Sequence, residues 1–462
     1  MINLNAGRVS ALFLSALLGA GCGGEEAVEE PQNADGSTTF KVRLENVARF
    51  NQLKSGVYNT RVGGTAPGPL APGEAYEFSF TAGRGQKLSF ASMLGQSNDW
   101  IFATPPGGIE LYENGYPISK DVTSSISLWD VGTEADEEPG VGAHTGPNQA
   151  SSIDGPGAPD SDPSVRRVMP LTRLANGTSF NVPPVASMIK VSVHSDVLSR
   201  RFTVRIENVA NDSSTLQTSR GARPVRISPG VWALATSGEP LFTEGKADRG
   251  LGLEAIAESG AVTQLASELT SGTGAATPLS PGVFVVHRAA GPMYRLGEAD
   301  RGMGLERIAE EGNPATLAQA LSEFLPVGTK SGTFTAPDGD YGTMPLTPGL
   351  AYSFEVKAFP GDRLSLVTMY GMSNDWFFGT APEGIALFDA AGMPLTGDAT
   401  AMIHLYDLGS ELSEEPGVGA NIAPQQPAPN TGAADTDNKV REVSSSVYGT
   451  PVPRHLKLTI SR

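Results

Sequence analysis

The chain has 462 residues, a length that allows more than one hydrophobic core and predicts two or three domains. Its formal net charge of -17 argues against nucleic acid as a partner, because no stripe of Lys and Arg is available to neutralise phosphates. The 55 Gly and 35 Pro favour short strands joined by many turns. The only cysteine is Cys22, so no internal disulfide can stabilise the fold.

The N-terminal segment predicts export. Residues 11–20 form an apolar run that is too short to span a bilayer, and LGAGC follows at its end. Small residues before the lone Cys22 resemble a bacterial lipobox, with Leu18 one place earlier than in the usual pattern. We therefore predict a signal peptide over residues 1–22, lipidation of Cys22 and a flexible acidic tether over residues 23–38. The alternative is an ordinary signal peptide, and in both cases the product is exported, as an envelope lipoprotein or a secreted protein.

Alternating apolar residues predict many short strands. The phrase FKVRLENVA, which begins at Phe40, returns as FTVRIENVA from Phe202, and further alternating segments follow each copy. We interpret the second phrase as the start of a second domain. The expected fold is therefore mainly β, with two tandem antiparallel β-sandwiches at residues 39–198 and 199–462.

A repeat of another kind lies within the second predicted domain, at about residues 228–324. Each half begins with Ser-Pro-Gly and an apolar run, then continues with Ala-Asp-Arg-Gly and a short amphipathic helix. The first predicted domain has no such segment, so we expect a small helical insertion in the second sandwich only. The Asp-Arg pairs at 248–249 and 300–301 are expected to begin helices, since aspartate favours helix N-termini, and a catalytic Asp/Arg pair is the alternative.

The sequence SNDW occurs twice, and both times an Asp-x-Gly turn and a run of acids follow it. The separation between the two aspartates differs by only one residue between the copies. This recurrence predicts cation sites made of carboxylates, which are Asp99, Asp130 and Glu134 in the first copy and Asp375, Asp407 and Glu411 in the second. A hard cation such as calcium is expected, because it takes oxygen ligands and neither copy has sulfur or imidazole at ligand spacing.

Two alternatives concern the surroundings of this motif. The acids can simply solvate a turn while Trp100 and Trp376 fill the core, and core packing is the expected role of both tryptophans. The long loops that follow end in DSDPSVR at residues 160–166 and in DTDNKVR at residues 435–441. Their aspartates are either solvated turn residues or further oxygens that face the cation.

Several segments together resemble the spondin N-terminal domain family, namely IENV, SPGVW, GLEAIAESG, GDRLSLVTMYGMSNDWFF and LYDLGSELSEEPG. The resemblance covers nearly all of residues 202–462, and residues 40–193 without the helical part. It implies a β-sandwich like those of calcium-dependent membrane-targeting modules, with calcium at one end of the sheet. In the family the ion is held by the aspartate before the tryptophan, the aspartate of the Asp-x-Gly turn and an acid four residues on. Glu134 and Glu411 depart from the aspartate of the animal members, whose domains serve adhesion.

No enzyme class is indicated. The five histidines are scattered, and the chain has no Gly-x-Ser-x-Gly elbow, Walker sequence or dinucleotide fingerprint. We therefore expect a non-catalytic calcium-binding protein that attaches to a membrane through its lipid anchor and binds an extracellular or envelope ligand, either protein or glycan, as in adhesion. The alternatives are an envelope scaffold with a purely structural ion or none, and a hydrolase that acts on glycans through paired carboxylates.

Overall fold

The structure is a computed structural model that describes residues 33, 35–48, 53–149, 157–274, 277–324, 330–340, 342–443 and 451–462. The predicted signal peptide, Cys22 and most of the predicted tether lie outside these residues. The described chain is mainly β, with several antiparallel sheets and four short α-helices, which confirms the predicted fold class. None of these helices has the length and apolar character needed to cross a membrane.

The strands are short, as the turn-rich composition predicts. The first fourteen are β1 (Thr38–Asn46), β2 (Lys54–Tyr58), β3 (Ala75–Thr81), β4 (Lys87–Leu94), β5 (Trp100–Ala103), β6 (Ile109–Glu110), β7 (Tyr112–Glu113), β8 (Tyr116–Pro117), β9 (Lys120–Asp121), β10 (Ser127–Asp130), β11 (Arg166–Arg167), β12 (Leu171–Arg173), β13 (Ser179–Asn181) and β14 (Ile189–Asp196). The next fourteen are β15 (Arg201–Asn208), β16 (Leu216–Thr218), β17 (Gly221–Arg223), β18 (Ile227–Ala235), β19 (Gly282–His287), β20 (Lys330–Phe334), β21 (Ala351–Ala358), β22 (Arg363–Met369), β23 (Trp376–Thr380), β24 (Ile385–Ala386), β25 (Gly397–Asp398), β26 (Ile403–Asp407), β27 (Arg441–Glu442) and β28 (Leu456–Ser461). The helices are α1 (Leu253–Ser259), α2 (Thr263–Ser271), α3 (Leu305–Glu311) and α4 (Ala315–Phe324).

The described residues between 53 and 274 form three layers, which we call the first unit. One sheet has the strand order β3-β15-β14-β9, and the other has the order β11-β10-β5-β4-β18-β2 with β6 beside β4. Apolar side chains of both sheets fill the space between them, where Phe78 stacks on Trp232. Helices α1 and α2 cover the outer face of the larger sheet, and Ile256 of α1 lies in one apolar cluster with Trp129. The first unit is thus a β-sandwich with helices on one side.

The second unit has the same layers and consists of residues 38–46 together with residues 277–462. Its smaller sheet has the order β21-β1-β28-β25, and its larger sheet has the order β20-β19-β22-β23-β26-β27 with β24 beside β22. Phe40 of β1 is buried in the core between these sheets. Helices α3 and α4 cover the outer face of the larger sheet, where Ile308 lies in one apolar cluster with Phe377.

The predicted boundary between residues 198 and 199 is wrong, because it falls in the turn of a β-hairpin. Strand β15 pairs with β14 along its whole length, from Asn208 opposite Ile189 to Arg201 opposite Asp196. Strand β1, which we assigned from the sequence to the first sandwich, lies instead between β21 and β28. The two strands carry nearly the same phrase, so their pattern fits either sheet, and the short hairpin turn keeps β15 beside β14.

The helical segment also divides differently from the prediction. Its first half supplies β18, α1 and α2 to the first unit, and its second half supplies β19, α3 and α4 to the second. Both sandwiches therefore carry helices, and the prediction of an insertion in the second sandwich only is wrong. The physical reason is that each half contains one apolar strand and helices with apolar faces. These apolar surfaces are buried only when the helices pack on the sheet that the strand joins. In chain order, the first unit lies between β1 and the rest of the second unit.

The Asp-Arg pairs shape the turns ahead of α1 and α3 and do not cap these helices. Asp248 and Asp300 each accept a hydrogen bond from the backbone N–H two residues later, at 3.2 Å. The N-cap positions belong to Gly252 and Gly304, which have positive φ angles of 105° and 103°. Arg301 donates to the carbonyl of Gly291 at 2.7 Å and Arg249 donates to that of Glu239 at 2.8 Å, so the arginines tie down the loops that precede the helices.

A buried asparagine joins β1 to the remainder of the second unit. Asn46 Nδ2 donates hydrogen bonds to the carbonyl oxygens of Thr277 at 2.9 Å and Leu346 at 3.0 Å. Asn208 makes the equivalent bonds within the first unit, at 3.0 and 3.1 Å. Because Thr277 is where the chain of the second unit resumes, Asn46 closes that unit across the inserted first unit.

We predict that the substitution His455→Met makes the second unit more resistant to acid. His455 is fully buried beside Tyr370, at the place that Met188 takes in the first unit. Burial lowers the pKa of His455 to about 4. The unfolded chain therefore binds more protons between about pH 6.5 and the lowered value, and stability is lost as the pH falls through this window.

Removal of the imidazole should restore up to about 3 kcal/mol of the free energy of unfolding at acid pH. The measurement is urea unfolding of both proteins at neutral pH and at about pH 4.5, a value inside the window. Equal losses of stability on acidification in His455→Met and the parent protein would contradict this assignment.

Candidate metal centre

The pairing of two strands brings together the aspartates of each SNDW motif. Strand β10 is antiparallel to β5, with Asp130 opposite Trp100, so Asp99 lies next to the end of β10. The N–H of Val131 donates to the carbonyl of Asp99 at 3.2 Å. In the second unit, β26 pairs with β23 in the same register, with Asp407 opposite Trp376. The two aspartates of each motif, about thirty residues apart in the sequence, therefore lie at neighbouring positions of two paired strands.

Asp99 organises the loop that follows β10. Its Oδ2 atom accepts hydrogen bonds from the backbone N–H groups of Thr133 at 3.0 Å and Glu134 at 3.1 Å. Its Oδ1 atom has no hydrogen-bond partner in the described part of the chain, although the residue is fully buried. A buried carboxylate oxygen without a partner is costly, and it is available as a ligand for a cation.

The third carboxylate beside Asp99 and Asp130 is Asp136, where the sequence predicted Glu134. Single carboxylate oxygens of Asp99, Asp130 and Asp136 all lie within 4.8 Å of one another, and all three residues are buried. Asp136 is held there by the indole of Trp100, whose Nε1–H donates to Asp136 Oδ1 at 2.6 Å. The sequence contains this signal, since the N–H of a buried tryptophan usually finds an acceptor. The sequence prediction chose Glu134, the acid four residues after Asp130, and did not use this signal.

Glu134 and Glu411 brace the long loops that follow the motif. Glu134 Oε1 accepts a hydrogen bond from the N–H of Gly157 at 2.5 Å, and Glu411 Oε1 accepts one from Gly432 at 2.7 Å. A Cβ atom at either glycine would lie within 2.7 Å of the glutamate carboxyl group, so a side chain there would displace that carboxyl group. The Oε2 atom of each glutamate is buried without a hydrogen-bond partner. Glu134 nevertheless lies outside the group of three mutually close carboxylates.

An arginine also reaches the first site. Arg166 Nη2 contacts Asp130 Oδ2 and lies 2.6 Å from Asp160 Oδ2. Asp162 is exposed and accepts hydrogen bonds from Ser164 within its own turn. The DSDPSVR loop thus brings a guanidinium to the site, Asp160 pairs with that guanidinium, and Asp162 is a solvated turn residue.

Burial and mutual repulsion disfavour full ionisation of the three aspartates. Burial raises the pKa of Asp99 to about 7 and that of Asp136 to about 6. Burial, together with the charges of Asp99 and Asp136, raises the pKa of Asp130 to about 9, against the opposing effect of Arg166. One guanidinium therefore leaves negative charge uncompensated at this site, and a bound cation would stabilise the ionised form.

The second copy keeps two aspartates and the arginine but lacks the third carboxylate. Asp375 Oδ1 is buried and has no hydrogen-bond partner among the residues described, and burial and Asp407 raise the pKa of Asp375 to about 8. Asp407 Oδ2 accepts hydrogen bonds from Arg441 Nη2 and Ser413 Oγ, both at 2.7 Å. Ser413 stands where the first copy has Asp136, and it receives the indole N–H of Trp376 at 3.4 Å. Within the described part of the chain, no group of three close carboxylates includes Asp375 or Asp407.

Both tryptophans of the SNDW motifs are core residues, as the sequence predicted. Trp100 is 1% exposed and Trp376 is 2% exposed, and each lies in the apolar cluster between the two sheets of its unit.

A scan of the chain against models of protein families finds no match, and a search of curated proteins finds none either.

We predict that, in the presence of a chelator, the free energy of unfolding falls as the pH rises, because the three aspartates ionise. Because their pKa values lie above the unfolded value of about 3.9, the folded protein holds more protons than the unfolded chain. The difference persists from about pH 4 to about pH 9, so stability decreases across this window. The substitution Asp130→Asn should flatten the pH dependence.

The measurement is thermal unfolding in chelator across that pH window. The control is Glu239→Gln, which removes an exposed carboxylate far from the three aspartates in the sequence. The control should follow the parent protein. An Asp130→Asn variant with the same pH dependence as the parent protein would show that these carboxyl groups ionise freely.

Proposed function

We propose that this is an exported, non-catalytic calcium-binding protein that uses a bound ion to contact an extracellular or envelope ligand. The observation that carries the proposal is Asp99 Oδ1, a buried carboxylate oxygen that has no hydrogen-bond partner among the residues that the structure describes. It belongs to a residue grouped with two further buried aspartates. The pattern is repeated in part at Asp375, whose Oδ1 atom is likewise buried without a partner.

The chemistry of these ligands favours a hard cation. The grouped side chains offer carboxylate oxygens alone, which suit calcium, magnesium or manganese better than zinc or copper. Calcium is the proposed ion, because it accepts irregular sets of six to eight oxygens, whereas magnesium demands a near-ideal octahedron. The resemblance of the SNDW and Asp-x-Gly segments to the spondin N-terminal domain supports the same ion.

The proposed mechanism is bridging. Three aspartates supply fewer oxygens than calcium coordinates, so water, backbone carbonyls or a partner's oxygen complete the shell. A partner that carries carboxylate, sulfate or phosphate groups would otherwise be repelled by a chain of net charge -17. Calcium would reverse that repulsion locally. The lipid anchor proposed at Cys22 would hold the protein at a membrane of the cell envelope.

A structural ion is the second candidate function, and the burial of the site favours it. Asp99, Asp130 and Asp136 have exposed fractions of 0%, 2% and 9%. An ion held by these side chains alone has little direct access to a partner. In this case the ion would join the loop after β10 to the sandwich, and the protein would act as an envelope scaffold.

We expect calorimetric titration of the chain that begins after Cys22 to show calcium binding that Asp99→Asn abolishes at the first site. The reason is that this substitution removes charge from the group while keeping the shape of the side chain. The matched control is Glu134→Gln, a buried acid of the same loop that lies outside the group. Glu134→Gln should retain binding. Binding that survives Asp99→Asn would remove the first site from the proposal.

A second measurement separates the bridging protein from the scaffold. A panel of sulfated and carboxylated glycans is immobilised, and the parent protein is applied with calcium and with chelator. Bridging predicts retention that chelator and Asp99→Asn both abolish. A structural ion predicts that Asp99→Asn lowers the melting temperature in calcium and leaves any glycan binding unchanged.

A further inference from the structure

The two SNDW sites differ by one exchange of a carboxylate among the side chains that meet at them. The shared groups occur as the pairs Asp99 and Asp375, Asp130 and Asp407, Trp100 and Trp376, and Arg166 and Arg441. The exception is the acceptor for the tryptophan indole, which is Asp136 in the first unit and Ser413 in the second. The chain thus holds two versions of one site, with a carboxylate in one and a hydroxyl in the other.

The exchange changes how the hydrogen bonds of the site are satisfied. Ser413 carries a proton, which it donates to Asp407 Oδ2 at 2.7 Å, and the same oxygen accepts a hydrogen bond from Arg441. Asp136 ionised has no proton to donate, and it places a further carboxylate within 4.8 Å of Asp99 and Asp130. The second site therefore compensates Asp407 internally, while the first site accumulates negative charge.

We propose that Asp136 and Ser413 make the sites unequal, so that the first unit binds a divalent cation tightly and the second binds it weakly. This inference rests on the proposed calcium binding and assigns its specificity to one position in each loop. Each site has one arginine, which is shared with a further aspartate. The first site opposes that arginine with three grouped aspartates, and the second opposes it with two. Calcium affinity rises with the number of charged ligands, so the third carboxylate selects the first site.

An observation that is independent of the charge count supports ion binding at both places. Asp99 Oδ1 and Asp375 Oδ1 are both buried without hydrogen-bond partners within the described ranges, in residues that are 0% exposed. The second site thus keeps an available oxygen in spite of its serine. Ser410 bonds Asp375 Oδ2 at 3.3 Å and Glu310 Oε1 at 2.7 Å, which leaves Asp375 Oδ1 as the oxygen open to a cation. The weaker site is therefore expected to bind at high calcium concentration.

The test exchanges the two residues in the full mature chain by Asp136→Ser, Ser413→Asp and the double variant. Calcium binding is measured by calorimetry, and terbium luminescence sensitised by Trp100 or Trp376 provides a second readout. The parent protein should show one tight and one weak site, with dissociation constants at least about tenfold apart. Asp136→Ser should leave two weak sites, and Ser413→Asp should create two tight ones.

The double variant should again show one tight and one weak site, with the tight one moved to the second unit. Asp375→Asn should then remove the tight site of the double variant. In the parent protein, Asp99→Asn should remove it. Asp136→Asn is a folding control for Asp136→Ser, because its carbonyl still accepts the hydrogen bond from Trp100. It should weaken the first site as the serine does, with a melting temperature in chelator no lower than that of the parent protein.

The outcomes of this test distinguish the inference from the proposal of calcium binding on which it rests. Two sites of equal affinity in the parent protein, or affinities that do not follow the exchanged residues, would overturn the inference while calcium binding stands. No heat and no terbium luminescence in the parent protein or in Ser413→Asp would overturn the proposal of calcium binding itself.

Discussion

Uncompensated negative charge inside the protein is the constraint on which both SNDW sites depend. A buried carboxylate needs hydrogen-bond donors, a counter-ion or a proton, and the chain uses all three means in different proportions. Asp99 divides its two oxygens between tasks, because Oδ2 organises the backbone of the following loop and Oδ1 stays without a partner. The carboxylate that builds the loop is thus also the one that offers a ligand oxygen. Folding of the loop and formation of the site are therefore one event.

The position of the site between two apolar layers explains how its geometry can be held. Trp100 lies in the core between the sheets, while Trp129 packs beneath the helices on the opposite face. These residues belong to paired strands, and Asp130 immediately follows Trp129 at the end of β10. The aspartates are consequently anchored by packing on both sides of the larger sheet. A site on the end of a packed strand pair has less freedom to relax than one on an isolated loop.

The sequence predicts the strands of this fold better than it predicts which strands pair with one another. Alternation along β1 and β15 identifies both strands, but the shared FxVRxENVA phrase contains no information about which sheet each one joins. The short turn between β14 and β15 decides it, and that signal is local. The same holds for the site. The spacing of Asp99 and Asp130 marks the motif, whereas the choice of Asp136 over Glu134 depends on where the indole of Trp100 points. Side-chain direction of that kind follows from tertiary packing.

The inserted order of the units gives the second site a neighbour that the first site lacks. Glu415, in the acidic run after the second Asp-x-Gly turn, accepts a hydrogen bond from Thr81 at 2.7 Å and contacts Lys54, both of the first unit. Gln86 Nε2 donates to the carbonyl of Gly417 at 2.8 Å. The equivalent Glu138 instead bonds Ser219 within its own unit. The loop of the second site is therefore fixed by contacts between units, whereas that of the first is fixed within one unit. Any ion that rearranges the second loop would act on the contact between the two sandwiches, which links the second site to the arrangement of the whole chain.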